Sequence, residues 1–420
     1  MDRRTATTAI LLAFGFLATG ALAYADSAPK GAATLPAGTA ATLSRQLTDA
    51  VGRGDTPGVV ALLVNRDGVL YEGVAGKRDS ANNVPMSTDT IFNITSMTKP
   101  VTSVAIMMLL EQGKLGLDDP VSKYLPSFDN LKVITKFNES DGTYETRPAK
   151  RAMTIRHLLT HTSGIAYAFS NPIMNKLQAG TQKMEWEFPL VHDPGDKWTY
   201  GASTRVLGLI VEKLTGAPLE NYYQEHIFKP LGMVDTSYAV AADKQARLTT
   251  SYRVVDGKRQ EQPKQNIPST PTAPYRGDGG LYSTAHDYGL FMRMLLNGGK
   301  LGNARIISER SVKLMGENHT GDVVVSQQPA ANPALTKPFP LGAGQDKFGL
   351  GFQITAKSDG ATKYRSPGSM SWAGLFNTEF WVDPQKGIGG VMLMQFLPFY
   401  DDGAIRTLQE FEATVYRDLQ

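Results

Sequence analysis

The segment FNITSMTKPVTS at residues 92–103 decides how the rest of the chain is interpreted. Apolar residues then recur at three- and four-residue spacing up to Gly113, which predicts a helix that begins near Ser96. Residues three apart share one face of a helix, with Cβ atoms about 5–6 Å apart, so Lys99 can reach the Ser96 hydroxyl. Because a serine hydroxyl is a weak nucleophile until a base takes its proton, the spacing predicts Ser96 as nucleophile and Lys99 as its partner.

The start of a helix is a favourable place for such a serine. Free N–H groups and the helix dipole stabilise developing negative charge there, and burial in the same field lowers the pKa of a lysine. The spacing alone is weak evidence, because Ser27 and Lys30 repeat it in a segment without helical periodicity. A capping serine followed by a solvated lysine is the alternative for Ser96 and Lys99. Only Ser96, however, opens a long apolar helix.

The remaining pattern places strands at both ends of the chain and helices between them. The strands are expected at 59–64, 69–74, 349–355, 377–382 and 390–396, and the helices at 42–53, 153–160, 202–215, 284–297 (with Ser283 as N-cap) and 403–418. This order predicts an α/β sandwich: an antiparallel sheet made by both chain ends and flanked by helices, with an inserted helical region. We expect the polar stretches 136–151 and 320–346 to be long loops that shape the pocket.

Residues 1–25 have the features of an export signal. Arg3 and Arg4 precede an apolar run at 9–23, followed by small-x-small sites that end at Ala23 and Ala25. About 15 apolar residues fall short of the roughly 20 that a membrane span needs. We therefore expect signal cleavage, no stable membrane insertion, and a periplasmic or secreted protein; an uncut anchor is the alternative.

The segment that follows, residues 26–41, is rich in Ala, Gly, Pro and Ser and predicts a flexible leader. Residues 42–420 then form the predicted domain, with a sheet region at about 42–95 and 345–420 and a helical region at about 96–344.

Composition excludes several classes of function. The chain has 420 residues, no cysteine and a formal net charge of +3. Without cysteine there are no disulfides, no thiol nucleophile and no thiolate metal site. So small a charge gives no reason to expect a nucleic-acid partner. We expect no cofactor and no metal, and the sequence leaves the oligomeric state open.

Four ordered segments resemble one enzyme family. They are residues 92–103, LDDPVSKYLP at 117–126, TIRHLLTHTSG at 154–164 and GGLYSTAHDY at 279–288. Together they resemble the β-lactamase-related serine hydrolases, which include class C β-lactamases, penicillin-binding D,D-peptidases and family VIII carboxylesterases. The resemblance covers most of residues 42–415. It implies a serine β-lactamase/D,D-peptidase-like fold and two-step acyl transfer on a small-molecule substrate.

The family's second motif is a tyrosine two residues before an Asn or Ser. PGDKWTYGAS at 194–203 resembles it, and the resemblance gives Tyr200 a share in proton transfer with Lys99. A tyrosine beside a cationic lysine is expected to lose its proton more easily. A buried aromatic with a bonded hydroxyl is the alternative. Ala202 occupies the substrate-binding place of the motif but has no side-chain amide to offer.

The third motif is Lys-Thr-Gly in β-lactamases. Here the resemblance aligns Trp372, Ala373 and Gly374, the Trp-Gly-Gly-like form of the esterase branch, as substrate-binding residues. Gly374 is expected to let the strand approach a substrate closely. The backbone N–H groups of Ser96 and Leu375 would form the oxyanion hole. Trp372 as no more than a wall residue is the alternative.

Other readings of the sequence are weaker. No Gly-x-Ser-x-Gly turn occurs, His157 and His161 lack the Glu and the third ligand of a zinc site, and residues 277–280 lack the end of a phosphate loop. We expect both histidines to cap backbone groups and residues 277–280 to form a tight turn.

The sequence therefore predicts a serine hydrolase that acts on carboxylic esters or related acyl compounds. A β-lactamase or D,D-peptidase is the alternative, and Lys363 or Arg365 could replace the missing motif lysine. A non-catalytic cell-wall binding protein is the alternative from another class.

Overall fold

Strands from both ends of the domain form one eight-stranded sheet. The computed structural model describes residues 33–263, 266–362 and 364–420. Every neighbouring pair in the sheet is antiparallel. The order across it is Lys347–Phe348, Gln353–Ile354, Met370–Gly374, Thr378–Asp383, Ile388–Leu393, Gly58–Asn65, Val69–Asp79 and Val84–Pro85. The predicted antiparallel sheet from both chain ends is confirmed.

The interior strand Gly58–Asn65 is buried along its whole length. Successive side chains of a strand point to opposite faces, so one set packs towards the helical region and the other towards the terminal helices. Val60, Leu62 and Val64 belong to the larger core, whereas Val59, Ala61 and Leu63 belong to the smaller one. Burial on both faces explains why the strand reads as a continuous apolar run.

Helices cover both faces of the sheet. Ala37–Gly52 and Asp402–Asp418 pack on one face, and Ala285–Leu296 packs on the other. The helix Ala285–Leu296 packs closely on the strand Gly58–Asn65, since a Cβ added at Gly289 would lie only 2.5 Å from Leu62 Cδ2. No helix of the described residues is long and apolar enough to cross a bilayer.

The inserted region supplies most of the remaining elements. Its helices are Thr98–Glu111, Ile155–Leu159, Pro172–Gln178, Ser203–Thr215, Leu219–Tyr223, Lys229–Leu231 and Glu309–Met315, with a π-helical segment at Gln224–Phe228. Short 3₁₀ turns lie at Thr95–Met97, Val121–Lys123, Pro126–Phe128, Glu185–Glu187 and Ala242–Arg247, and another lies at Gly360–Thr362 ahead of the C-terminal strands. Small strands pair as Phe92–Asn93 with Tyr282–Ser283, Lys132–Phe137 with Tyr144–Pro148, and Lys300–Leu301 with Ala304–Arg305. Phe396–Leu397, Tyr252–Val255 and Lys258–Glu261 form a further sheet.

The N-terminal boundary differs from the prediction. The predicted signal at 1–25 and residues 26–32 of the leader lie outside the described residues. Residues 33–41, however, belong to the folded domain: the first helix begins at Ala37, and Thr34 exchanges two backbone hydrogen bonds of 3.1 Å with Gln420. Thr39 is buried and donates to Asp418 Oδ2 at 2.9 Å. Small residues that look flexible in sequence are ordered here because the C-terminal helix packs against them.

Three further details differ. The N-cap of Ala285–Leu296 is Thr284 rather than Ser283, because Ser283 is part of a strand while Thr284 Oγ1 accepts the Asp287 N–H at 3.1 Å. Of the strand expected at 349–355, only Gln353–Ile354 is a strand, because residues 349–352 form the turn that joins it to Lys347–Phe348. The stretch 136–151 is largely a hairpin rather than a loop, whereas 320–346 contains no helix or strand.

Candidate active site

Ser96 and Lys99 lie together at the start of the first long helix of the inserted region. Ser96 is in the turn Thr95–Met97, and Lys99 is in the first turn of Thr98–Glu111. Lys99 Nζ donates to Ser96 Oγ at 2.9 Å and to the carbonyl oxygen of Asp278 at 2.7 Å. Lys99 is 1% exposed, which excludes the solvated lysine of the alternative interpretation.

The electrostatics of this lysine suit a base. Burial is the main cause that lowers the pKa of Lys99 to about 7; the cations Arg276 and Arg205 lower it further, and Asp278 opposes them. A burial-driven fall of this kind is expected because low dielectric disfavours the charged form. A substantial fraction of Lys99 is therefore neutral at neutral pH and can accept a proton.

Tyr200 lies beside this pair. It is 3% exposed, and its ring centroid is 4.9 Å from Lys99 Nζ. Burial raises the pKa of Tyr200 above its ordinary value, although the Ser96 hydroxyl opposes the rise. The expectation of an easily ionised tyrosine is wrong, because the loss of hydration outweighs the groups that favour ionisation, of which the Ser96 hydroxyl has the largest effect. Tyr200 therefore holds its proton and can act as a donor or relay.

Trp372 forms an apolar wall next to Tyr200. It lies in the strand Met370–Gly374, is 7% exposed, and its ring centroid is 5.0 Å from that of Tyr200. Its other ring neighbours are His161, Trp198 and Phe348. This position fits the wall role that sequence analysis left open.

One cavity of about 490 Å³ connects these groups. Among the predicted residues, Ser96, Tyr200, Trp372, Ala373 and Leu375 line it, and Lys99 lies behind Ser96. The loop 320–346 contributes Phe339, Pro340 and Leu341, as expected, whereas no residue of 136–151 lines the cavity.

Two predicted substrate-binding residues do not line this cavity, and we assign neither to substrate binding. Ala202 is completely buried just before Ser203–Thr215. Gly374 instead permits a close approach within the protein, since a Cβ there would lie 2.4 Å from Ile94 O and 2.5 Å from Thr95 Oγ1.

The predicted oxyanion donor Leu375 already has a partner. Its N–H donates to Thr95 Oγ1 at 2.6 Å, which places it beside the residue that precedes Ser96. Thr95 has φ = 41°, an unfavourable value for a β-branched residue. A substrate carbonyl must displace or share this hydrogen bond to reach the Leu375 N–H.

Asp278 is a central residue that sequence reasoning missed. It is 2% exposed, and its carboxylate accepts hydrogen bonds from Tyr167 Oη and from Arg205 Nε, the latter at 3.0 Å. Burial opposes ionisation, but Lys99, Arg276 and Arg205 hold the pKa of Asp278 below its usual range. In the sequence, Asp278 directly precedes the family segment at 279–288 and could have been noticed there. It was read only as part of a turn at 277–280, and a turn does not require a buried carboxylate.

The two histidines have different roles. His157 Nδ1 accepts the Thr154 N–H at 3.1 Å, so the predicted backbone cap is confirmed there. His161 is instead buried among aromatic rings, 5.0 Å from the ring centroid of Tyr200, and its Nδ1 has no partner among the described residues. The described residues contain no group of three or more His, Asp and Glu placed to hold a metal ion.

The family assignment follows from the match along the whole domain. Residues 43–414 match the family model described as Beta-lactamase. The chain belongs to the beta-lactamase family. This beta-lactamase-family protein has the sheet, the flanking helices and the inserted region of the predicted fold, and solved structures of relatives share them.

Curated relatives include esterases and acyltransferases. Protein Rv1367c of Mycobacterium tuberculosis is 36% identical over 369 residues, which is 84% of this chain and 88% of that protein. Monacolin J acid methylbutanoyltransferase of Aspergillus terreus is 28% identical (82% and 86% covered). Lovastatin esterase of Penicillium rubens is 28% identical (88% and 96% covered).

Among solved structures, unliganded simvastatin synthase (LovD) from Aspergillus terreus matches with a TM-score of 0.76. The two chains are 26% identical, with 91% of this chain and 98% of that chain covered. This beta-lactamase-family protein is a serine enzyme that acts on small acyl compounds through acyl-enzyme chemistry, by hydrolysis or by acyl transfer.

Proposed function

We propose that the protein hydrolyses carboxylic esters, with Ser96 as the acylated nucleophile. The observation that carries the proposal is the buried Lys99 amine, which lies 2.9 Å from the Oγ of Ser96, a residue that lines a cavity with an aromatic wall. A base with a pKa near the working pH is suited to deprotonate a serine hydroxyl.

In the proposed mechanism, protons pass between Ser96, Lys99, Tyr200 and the leaving group. Ser96 Oγ attacks the ester carbonyl carbon while its proton passes to Lys99 Nζ, and the oxyanion forms near the N–H groups of Ser96 and Leu375. Tyr200 donates its phenolic proton to the leaving alkoxide and regains one from Lys99. Water then attacks the acyl-enzyme by the reverse path, which releases the acid and restores Ser96.

An ester fits this cavity better than a β-lactam. Trp372 stands where a β-lactamase has a lysine, and Ala202 offers no amide and is buried. Arg365 is 4% exposed and bound to Glu412 at 2.5 Å, so it is no free substitute cation; Lys363 lies outside the described residues. Each missing polar contact is worth about 1.5–3 kcal/mol, or roughly ten- to a hundredfold.

The deciding measurement is kcat/KM on the purified protein for an aryl butyrate, a chromogenic cephalosporin and a D-alanyl peptide. We expect the ester to be turned over best. A cephalosporin that is better by tenfold or more would replace the proposal with the β-lactamase alternative, and the same margin for the peptide would favour a D,D-peptidase.

Acyl transfer to an alcohol is a second candidate, because one relative is a methylbutanoyltransferase. An aryl butyrate supplied together with a small alcohol separates the two activities. An alkyl ester as the main product would indicate a transferase, and free butyrate would indicate a hydrolase.

Covalent labelling tests the nucleophile and the non-catalytic alternative together. A fluorophosphonate should label the native protein on Ser96, and Ser96→Ala should abolish both the label and turnover with its Tm unchanged within a few degrees. No labelling at all would favour a binding protein, and an adduct on Ser163 or Ser371 would replace the assignment of Ser96.

We further propose that the protein is exported to the periplasm or the medium. The support is the sequence of residues 1–25. Amino-terminal sequencing of the mature protein should begin after Ala23 or Ala25, and a mature chain that begins at Met1 would contradict export by this route.

A further inference from the structure

The active-site cavity has a polar end. Gln353, Arg365, Ser371 and Glu379 line the same cavity as Ser96, and we call these four the polar end. Strand register brings three of them together. Gln353 pairs with Ser371 of the strand Met370–Gly374. Glu379 pairs with Ala373, which lies two residues after Ser371 in that strand and on the same face.

Two of the four residues of this polar end are occupied by contacts within the protein. Arg365 donates to Glu412 Oε1 through Nε at 3.0 Å and Nη2 at 2.5 Å. Gln353 Nε2 donates to Leu341 O at 2.5 Å and to Asp346 Oδ2 at 2.7 Å. These two side chains therefore have their main hydrogen bonds before any substrate arrives.

Glu379 differs from them. It is 8% exposed, and its Oε1 is buried with no hydrogen-bond partner among the described residues. A buried polar atom without a partner destabilises a fold, so native proteins rarely retain one without another use. The side chain opposite it in the strand pair is Ala373, whose single methyl group leaves space on that side.

The charge state of Glu379 limits what it can bind. Burial raises the pKa of Glu379 to about 8; Arg365 opposes the rise and Glu412 adds to it. At neutral pH the carboxyl is mostly protonated, so it offers both a donor and an acceptor. Such a group matches a hydroxyl and gives no charge attraction to a carboxylate or an ammonium group.

We propose that Glu379 binds an uncharged hydroxyl group of the substrate, so that the protein prefers hydroxylated esters to their unsubstituted counterparts. This inference rests on the proposed esterase function and names its substrate class. The distance from Glu379 to the oxyanion donor Leu375 follows from strand geometry. Glu379 lies opposite Ala373, about 4.8 Å away across the strand pair, and Ala373 lies two residues before Leu375, at a rise of about 3.3 Å per residue. The hydroxyl then lies within roughly 10 Å of the reacting carbonyl, on the acyl chain or on the alcohol.

Two substrate pairs distinguish these positions. Aryl 3-hydroxybutyrate against aryl butyrate tests the acyl chain, and 2-hydroxyethyl butyrate against ethyl butyrate tests the alcohol. One hydrogen bond to a buried carboxyl is worth about tenfold, so we expect a kcat/KM ratio of about ten or more in one pair. Ratios near one in both pairs overturn the inference, while turnover of the esters leaves the proposed function standing.

Two variants assign the preference to Glu379. Glu379→Leu removes both the donor and the acceptor, so the ratio should fall to about one, whereas Glu379→Gln keeps both and should retain most of it. Glu379→Leu should also raise Tm, because it removes an unpartnered buried polar atom. A lower Tm in both variants with the ratio unchanged would make Glu379 structural and overturn the inference.

The test does not depend on turnover. If no ester is hydrolysed, the proposed function fails, and calorimetric binding of the same substrate pairs to Ser96→Ala still decides this inference. Tighter binding of the hydroxylated member by about tenfold supports it, and equal binding overturns it.

Discussion

At the scale of single residues, Lys99 makes the activity depend on pH. Its neutral form is the base, and burial lowers the pKa of Lys99 to about 7. We therefore expect kcat/KM for an aryl ester to rise about tenfold per pH unit below 7 and to level off above about 8. Lys99→Arg should be almost inactive because a guanidinium stays protonated. A flat profile from pH 5 to 9 would show that another group is the base.

Tyr200 and Lys99 should behave as one proton-transfer unit. Both lie beside Ser96, and residues that act as a unit lose activity non-additively. Lys99→Ala combined with Tyr200→Phe should be little worse than the more severe single change, as measured by kcat/KM. A loss equal to the product of the two single losses would indicate independent roles.

Thr95 should limit access to the oxyanion hole. Its hydroxyl accepts the Leu375 N–H that a substrate oxygen needs. Thr95→Ala removes this competing hydrogen bond, worth about 0.5–1.5 kcal/mol, so acylation should accelerate roughly two- to tenfold. Thr95→Ser keeps a hydroxyl and should stay near the native rate in a single-turnover assay. Slower acylation by Thr95→Ala alone would mean that the hydroxyl positions the strand instead.

At the scale of elements, a buried ion pair fixes the C-terminal helix to the sheet. Arg365 precedes the strand Met370–Gly374 and binds Glu412 of Asp402–Asp418, with side-chain exposures of 5% and 2%. Removal of one partner leaves the other charge buried without compensation. Glu412→Leu or Arg365→Met alone should therefore lower the free energy of unfolding by about 3–5 kcal/mol. The double variant should lose much less than the sum in urea denaturation; strict additivity would show that the pair is not coupled.

Elements were predictable where local patterns decide them. The helix after Ser96 and the strand Gly58–Asn65 follow from apolar spacing within a few residues of each. The hairpin within 132–148 and the N-cap at Thr284 were missed because pairing partners, rather than local polarity, determine them.

At the scale of the whole molecule, the N-terminal helix should be necessary for folding. Ala37–Gly52 buries Leu43 and Leu47 against the sheet and packs on the C-terminal helix. A chain that begins at Arg53 exposes that face and should be insoluble or lack a cooperative thermal transition. A chain that begins at Asp26 is the matched control and should melt cooperatively and remain active. Cooperative melting of the shorter chain would show that the helix is dispensable.

The sequence by itself determined the fold class, the family and the pairing of Ser96 with Lys99. These depend on short-range spacing along one helix and on ordered motifs, which a linear sequence displays directly. Only the tertiary structure decided the protonated state of Tyr200, the burial of Ala202 and the partner of Leu375. Burial and contact cause all three, and the Thr95–Leu375 hydrogen bond joins residues 280 positions apart. Only the tertiary structure shows that Glu379 Oε1 is buried without a partner, because desolvation depends on the packing of the complete fold rather than on neighbours in sequence.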